Sequence, residues 1–317
     1  MAITGKGTET EPWLVHSYDE IKTCFDKDKP EDADKQSSTY IKLANDIDCN
    51  DYGDGWKWKT IKNGDISNGR TTFFDLNGHT IKNVMIKSGN GLFYAANDNN
   101  AHNVMVMNGK LLNIFTEGTT SIFKGTSLKK LSISVDTSPT TEQAFNGCYI
   151  EMCSIYVSTS KVLSSGGIFR FRRQNGYYAI NSDFWLDITD INQVTIWSVN
   201  GGDSSRCPAT DCRFRGNIGG TMSFTTYNDQ RYSTLFGEKA ERCVADVAFK
   251  GSVADMGQLN VFSSNNEPIT SIFNVDKFKG TYAYSIAAAN VIACSDKEMK
   301  SYEELIKKGF SVVKVGD

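Results

Sequence analysis

Apolar residues recur along this chain on two scales. Locally, they alternate with polar residues in segments such as HNVMVMNG, KKLSISVDT, IEMCSIYVST, INSDFWLDIT, TDCRFRGN and VADVAFKG. Alternation with a period of two predicts short strands with one buried face. On the longer scale, a Phe-centred segment returns as TFFDL, GLFYA, SIFKG, QAFNG, GIFRF, TLFGE and SIFNV, placing Phe74, Phe93, Phe123, Phe145, Phe169, Phe236 and Phe273 in corresponding positions. Spacings of about 20–30 residues match one turn of a repeat architecture. A single repeat cannot bury its apolar side, so stacking Phe on Phe and Val or Ile on Val or Ile is expected to build a continuous core. No helical stripe interrupts the region from about 70 to 290, which argues against strand–helix–strand units. Two all-β architectures survive: a right-handed parallel β-helix, favoured by the regular Phe recurrence, and a β-sandwich with extra strands.

The ends differ from the middle. SYDEIKTCF begins with Ser17 as N-cap, has Glu20 three residues on, and puts Ile21, Cys24 and Phe25 on one face, which predicts a short helix over 17–25. SDKEMKSYEELIKKGFSVV offers Ser295 as N-cap, Glu298 at the capping-box position, apolar Met299, Tyr302, Leu305 and Ile306, and Gly309 as stop. Both are expected to close the open ends of the repeat stack. The resulting organisation is an N-terminal capping region and first coil over 1–70, β-helix coils over 71–294, and a C-terminal helical cap over 295–317.

Composition agrees with this pattern. The chain has 27 Gly and only 5 Pro, so polar turns separate strands and little else punctuates it. A formal net charge of −3 supplies no broad basic field for phosphates, and nucleic acid is not an expected partner. No apolar run is long enough to span a bilayer, and MAITGKGTETEP lacks the layout of a signal peptide, so no membrane insertion and a cytosolic origin are expected. The eight cysteines lack zinc spacing, and several lie inside apolar strand patterns; they are read as buried reduced thiols.

At this point a resemblance enters. GKGTETEPWLVHSYDEI, YIKLANDIDCND, WKWKTI, FDLNGHTIKNVMI and NGLFYA, in that order over about residues 5–95, resemble the N-terminal coils of right-handed parallel β-helix modules in bacteriophage tail and appendage proteins and bacterial surface proteins. The resemblance implies a fold rather than one activity, since such modules serve adhesins, polysaccharide-degrading enzymes and structural fibres alike. With no leader visible, it points to a virion protein assembled in host cytoplasm, with location at the bacterial surface or outside the cell as the alternative. Its implied partners are other virion or tail proteins, a cell-surface glycan, and further copies of the chain. A trimer and a monomer docked on a larger virion protein both fit.

Candidate chemistry is sparse. Gly78-His79 with Ile81-Lys82 superficially matches polygalacturonase signatures, but Thr80 stands where a second Gly belongs and no upstream paired-Asp motif is present. The pair is read as a turn. Trp56 and Trp58 alternate with lysines, and the resemblance implies that at least one lies in the core. NDIDCNDYGDG offers Asp46, Asp48, Asp51 and Asp54 as oxygen ligands without the spacing of a calcium loop, so no metal and no cofactor are assigned.

The stronger surface is GIFRFRRQNGYYAINSDFWLDITDINQ. If Phe169, Phe171, Phe184, Leu186 and Ile188 face inward, Arg170, Arg172, Asp183, Trp185 and Asp187 face outward. Those five suit sugar binding, with the indole under a pyranose and the ions on its hydroxyls. No catalytic residue is assigned. The expected function is a non-enzymatic attachment protein, fibre or spike; the alternative is a β-helical polysaccharide lyase or glycoside hydrolase using the same carboxylates.

Overall fold

The computed structural model describes residues 3–26, 38–63, 71–87, 91–95, 104–116, 121–137, 144–159, 168–172, 179–192, 197–200, 208–222, 225–227, 230–234, 239–250, 252–253, 258–260, 271–277 and 291–308. It is mostly strand, and its principal element is a long parallel sheet. Successive strands stack in three ladders. The first runs through Thr39–Leu43, Thr72–Asp75, Tyr149–Glu151, Ala179–Ile180 and Pro208–Thr210; the second through Thr80–Ile86, Ser154–Thr159, Asp183–Asn192, Arg213–Met222 and Val244–Phe249. Two longer strands, Val104–Thr116 and Thr126–Asp136, pass from the first ladder into the second. The third ladder is a separate six-stranded sheet that includes Phe93–Ala95, Phe123–Lys124, Phe145–Asn146, Phe169–Arg172 and Trp197–Asn200.

Inward positions of all three ladders fill one apolar core. Phe93, Phe123, Phe145 and Phe169 occupy matching register positions in the third ladder, and all are fully buried. The Phe123 and Phe145 rings stack at 5.2 Å, and those of Phe145 and Phe169 at 4.8 Å. Phe74 departs from the single column expected for it. It lies in the first ladder opposite Ile41 and Val106, and meets Phe93 across the core at 5.7 Å, ring to ring. Phe273 is in the second ladder, and Phe236 lies outside the described residues.

The corner between the first and second ladders is set by backbone. One residue per repeat there has left-handed φ: Asn77 at 53°, Asn108 at 58°, Lys130 at 53°, Met152 at 54°, Asn181 at 48°, Asp211 at 53° and Arg242 at 52°. Asn accepts this conformation readily; Lys, Met and Arg do so at a cost of roughly 1–2 kcal/mol each. Stacking holds them there, because corner N–H groups donate to the next repeat: Met152 N to Ile180 O at 3.0 Å, and Asn181 N to Thr210 O at 3.0 Å.

This corner also explains the cysteines. After five of these left-handed positions the next residue turns inward, and Leu131, Cys153, Ser182, Cys212 and Cys243 are all buried. Cys153 Sγ donates to Glu151 O at 3.3 Å and Leu128 O at 3.4 Å, and Cys212 Sγ to Thr210 O at 3.3 Å and Ala179 O at 3.4 Å. A thiol suits the position because it is small, apolar enough for the core and able to donate weakly to corner carbonyls. Cys148 does the same beside Gly147, whose φ is 63°. Burial pushes the Cys148 and Cys153 thiols up to about 12. The seven described cysteines are free and buried, as expected; Cys207 lies outside the described residues.

The N-terminal helix forms over Tyr18–Asp26, with the Ser17 hydroxyl accepting from Glu20 N at 3.3 Å. Its Tyr18, Ile21, Cys24 and Phe25 are buried, and the Phe25 ring lies 6.0 Å from those of both Phe74 and Phe93. The C-terminal segment differs from the single helix expected. It breaks into Asp296–Met299 and Tyr302–Lys307, and each piece has its own serine cap. Ser295 and Glu298 form the expected capping box, whereas Ser301 Oγ accepts from Glu304 N at 3.3 Å and restarts the helix. A second good N-cap inside the segment competes with helix continuation. Gly309 lies outside the described residues.

Candidate functional site

The outward positions of the second ladder form a continuous polar face, and its centre is Trp185. Register aligns Ser134, Tyr156, Trp185, Arg215 and Asp246 in one column. The flanking columns carry Ser132, Ser154, Asp183 and Arg213 on one side, and Asp136, Ser158, Asp187 and Asn217 on the other. Trp185 is 44% exposed and Tyr156 38%, high values for large rings, so both present surface to solvent. The alternation that exposes them buries Phe184, Leu186, Ile155 and Val157.

Arg215 orders this surface. Its guanidinium sits over the Trp185 ring at 5.0 Å while Nε donates to Asp183 Oδ1 at 3.1 Å and Nη2 donates to Asp183 Oδ2. A planar cation held by a bidentate carboxylate and an indole has little freedom left. Gly216 makes the approach feasible. Its φ is +112°, and a Cβ there would lie 2.0 Å from Leu186 O, so only glycine lets this strand pass so close to its neighbour.

Of the five residues expected to share a patch, the structure brings three together. Asp183, Trp185 and Asp187 lie on the strand Asp183–Asn192 of the second ladder. Arg170 and Arg172 lie on Phe169–Arg172, which belongs to the six-stranded third ladder, a different sheet. Their side chains are outside the described residues. The cation beside Asp183 is Arg215, and the second ring is Tyr156. Both were visible in the sequence as outward members of alternating segments, but the register joining them to Trp185 was not. Asp183 and Asp187 are four residues apart on one strand, roughly 13 Å at about 3.3 Å per residue. Glycosidase carboxyls sit about 5–9.5 Å apart, so this pair does not form that arrangement, and Asp183 is already engaged by Arg215.

An open groove of about 570 Å³ runs beside this face at the left-handed corner, lined by Met152, Ser154, Asn181, Asp183, Asp211 and Arg213 among others. Asp211 is bridged by Arg242, with Nε to Oδ1 at 2.6 Å and Nη2 to Oδ2 at 2.7 Å. A second groove, about 500 Å³, lies on the outer face of the first ladder between Tyr40, Phe73, Met105 and Met107. Its two rings stack on each other at 4.7 Å, so each has one face already covered.

The remaining sequence candidates have structural employment. Asn77 and Gly78 make a turn with φ of 53° and 82°, and His79 Nδ1 lies 3.2 Å from Asp46 Oδ1. The same oxygen accepts from Thr80 N at 3.0 Å, and this backbone hydrogen bond holds the Asp46 carboxyl below its ordinary range. Gly78-His79 thus ties one repeat to the one before it. Asp48 accepts from Asn83 Nδ2 at 2.8 Å and Asn50 N at 3.0 Å, capping the 3₁₀ turn Cys49–Tyr52. Among the described residues, no three potential ligands converge on a metal position. Trp58 is fully buried, and Trp56 is half-buried with its ring 4.5 Å from that of Tyr52.

No family model, curated protein or solved structure matches the chain. Among the described residues, no helix is long and apolar enough to cross a membrane.

Proposed function

We propose that the chain is a right-handed parallel β-helix of the phage appendage kind, assembled with other virion or tail proteins, whose outer second-ladder face binds host cell-surface polysaccharide. The single observation that carries the glycan reading is the exposed Tyr156–Trp185–Arg215 column, in which an ion pair holds a guanidinium against an indole. Tyr156 and Trp185, exposed on neighbouring strands about 4.8 Å apart and flanked by Ser, Asp and Asn, offer an apolar floor with hydrogen-bonding edges, and Arg215 covers one face of the indole. The virion reading rests on the resemblance of residues 5–95 and on stacked parallel strands, which give a stiff body suited to attachment. Copies would associate as a trimer, or a monomer would dock on a larger virion protein; in either form several shallow sites could act together.

The test is a glycan-array and calorimetric comparison of the wild-type chain with Trp185→Ala. Binding to surface polysaccharides, weakened at least tenfold by the substitution, supports the reading; equal binding by both proteins refutes it. Oligosaccharide release from a bound polymer would move the assignment to a depolymerase. Sedimentation showing only monomer at high concentration would remove the trimer.

A further inference from the structure

The corner groove carries a charge that its own carboxylates do not neutralise. Asp183 is held at both oxygens by Arg215, and Asp211 at both oxygens by Arg242. Arg213 lies between them, opposite Asp183 in register, exposed, and in the groove wall. Among the described residues it forms no ion pair. Two acids matched by two guanidiniums leave the third guanidinium in surplus. The other acids on this face are Asp136 and Asp187, in the far column four strand positions or roughly 13 Å along, and Asp246, which Lys277 Nζ bridges at 2.7 Å.

Position adds to charge. Arg213 is one strand over from Trp185 and two residues back along it, a diagonal of roughly 8 Å from steps of about 6.6 and 4.8 Å. That distance lies within reach of adjacent sugar units, one on the indole and the next at the guanidinium. A guanidinium presents paired N–H donors that match the two oxygens of a carboxylate or phosphodiester. Asn181 and Ser154 line the same groove and supply neutral hydrogen-bonding groups for hydroxyls.

Building on the glycan reading, we infer that the corner groove selects anionic saccharides, with Arg213 receiving the carboxylate or phosphodiester of a sugar unit adjacent to the one on Trp185. Neutral polymers use the aromatic platform alone. The guanidinium sets specificity and the rings supply contact.

Calorimetry on the full chain at low ionic strength tests this with four probes. Hyaluronan and alginate carry carboxylates, a poly(glycerol phosphate) teichoic acid carries phosphodiesters, and dextran is neutral. At least one anionic polymer should bind ten times more tightly than dextran, and which one it is identifies the anion. Arg213→Gln should remove that advantage, Arg213→Lys should restore part of it, and unchanged thermal midpoints should show that both variants fold. Trp185→Ala should weaken every polymer that binds. If Arg213→Gln leaves anionic binding intact, or no anionic polymer outbinds dextran while Trp185→Ala still weakens binding, the anion inference falls and the glycan reading stands. If none of the four binds, both fall.

Discussion

Replacing Phe145 with Ala measures what the aromatic column of the third ladder contributes. Phe145 is fully buried between Phe123 and Phe169, with ring separations of 5.2 and 4.8 Å. Deleting a buried Phe side chain costs about 3–5 kcal/mol when the surroundings cannot collapse, and parallel strands on both sides prevent collapse here. Two ring pairs at about 0.5–1.5 kcal/mol each place roughly 1–3 kcal/mol of that in stacking. Phe145→Leu keeps most of the volume and loses the stacking, so it should fall between wild type and Phe145→Ala. Urea unfolding followed by near-ultraviolet circular dichroism gives the midpoints, and hydrogen exchange locates the damage. Since each repeat contacts only its neighbours, exchange should quicken first in Phe123–Lys124 and Phe169–Arg172. A loss below about 1 kcal/mol, or a loss equal to that of Phe73→Ala on the half-buried outer face, would refute the account of a stacked column.

Two further outcomes are expected. The Glu298 carboxyl is lowered to about 2, first by the Ser295 N–H and then by Lys308, so its hold on the C-terminal cap is complete above the ordinary glutamate value of 4.5 and is lost as pH falls through about 2. Protection of the Ser295 amide, its exchange rate taken against the intrinsic rate at each pH, should fall across that window, and Glu298→Gln should remove that fall; an unchanged fall in the variant would show that another group is responsible. Cys148 and Cys153 should resist an aromatic disulfide reagent in the native protein and react in denaturant, because burial keeps both thiols protonated up to about 12; labelling of either before unfolding would contradict their placement.

The alternating segments and their inward residues were legible from sequence because a period of two encodes which side of a strand is apolar. It does not encode which sheet the strand joins. Phe74 and Phe93 carry the same residue type and both face the core, yet they sit on different ladders. For the same reason Arg170 and Arg172 read as neighbours of Asp183, while its actual partner, Arg215, comes from the following repeat of the second ladder. The corner was hidden for a different reason: Lys130, Met152 and Arg242 hold left-handed backbone, Met152 with its N–H donating to the next repeat, and nothing in their side chains signals it. The C-terminal helix broke at Ser301, whose cap was readable but was outweighed by the apolar spacing around it.

The left-handed corner has a consequence for variation. Because backbone contacts between repeats maintain the bend, amide, thioether, carboxylate and guanidinium side chains all occupy it. These positions line up at about 4.8 Å intervals, the spacing of neighbouring strands. Such a row acts as a ruler whose tick marks can be relabelled one residue at a time, so that edge can be rewritten without redesigning the body that holds it.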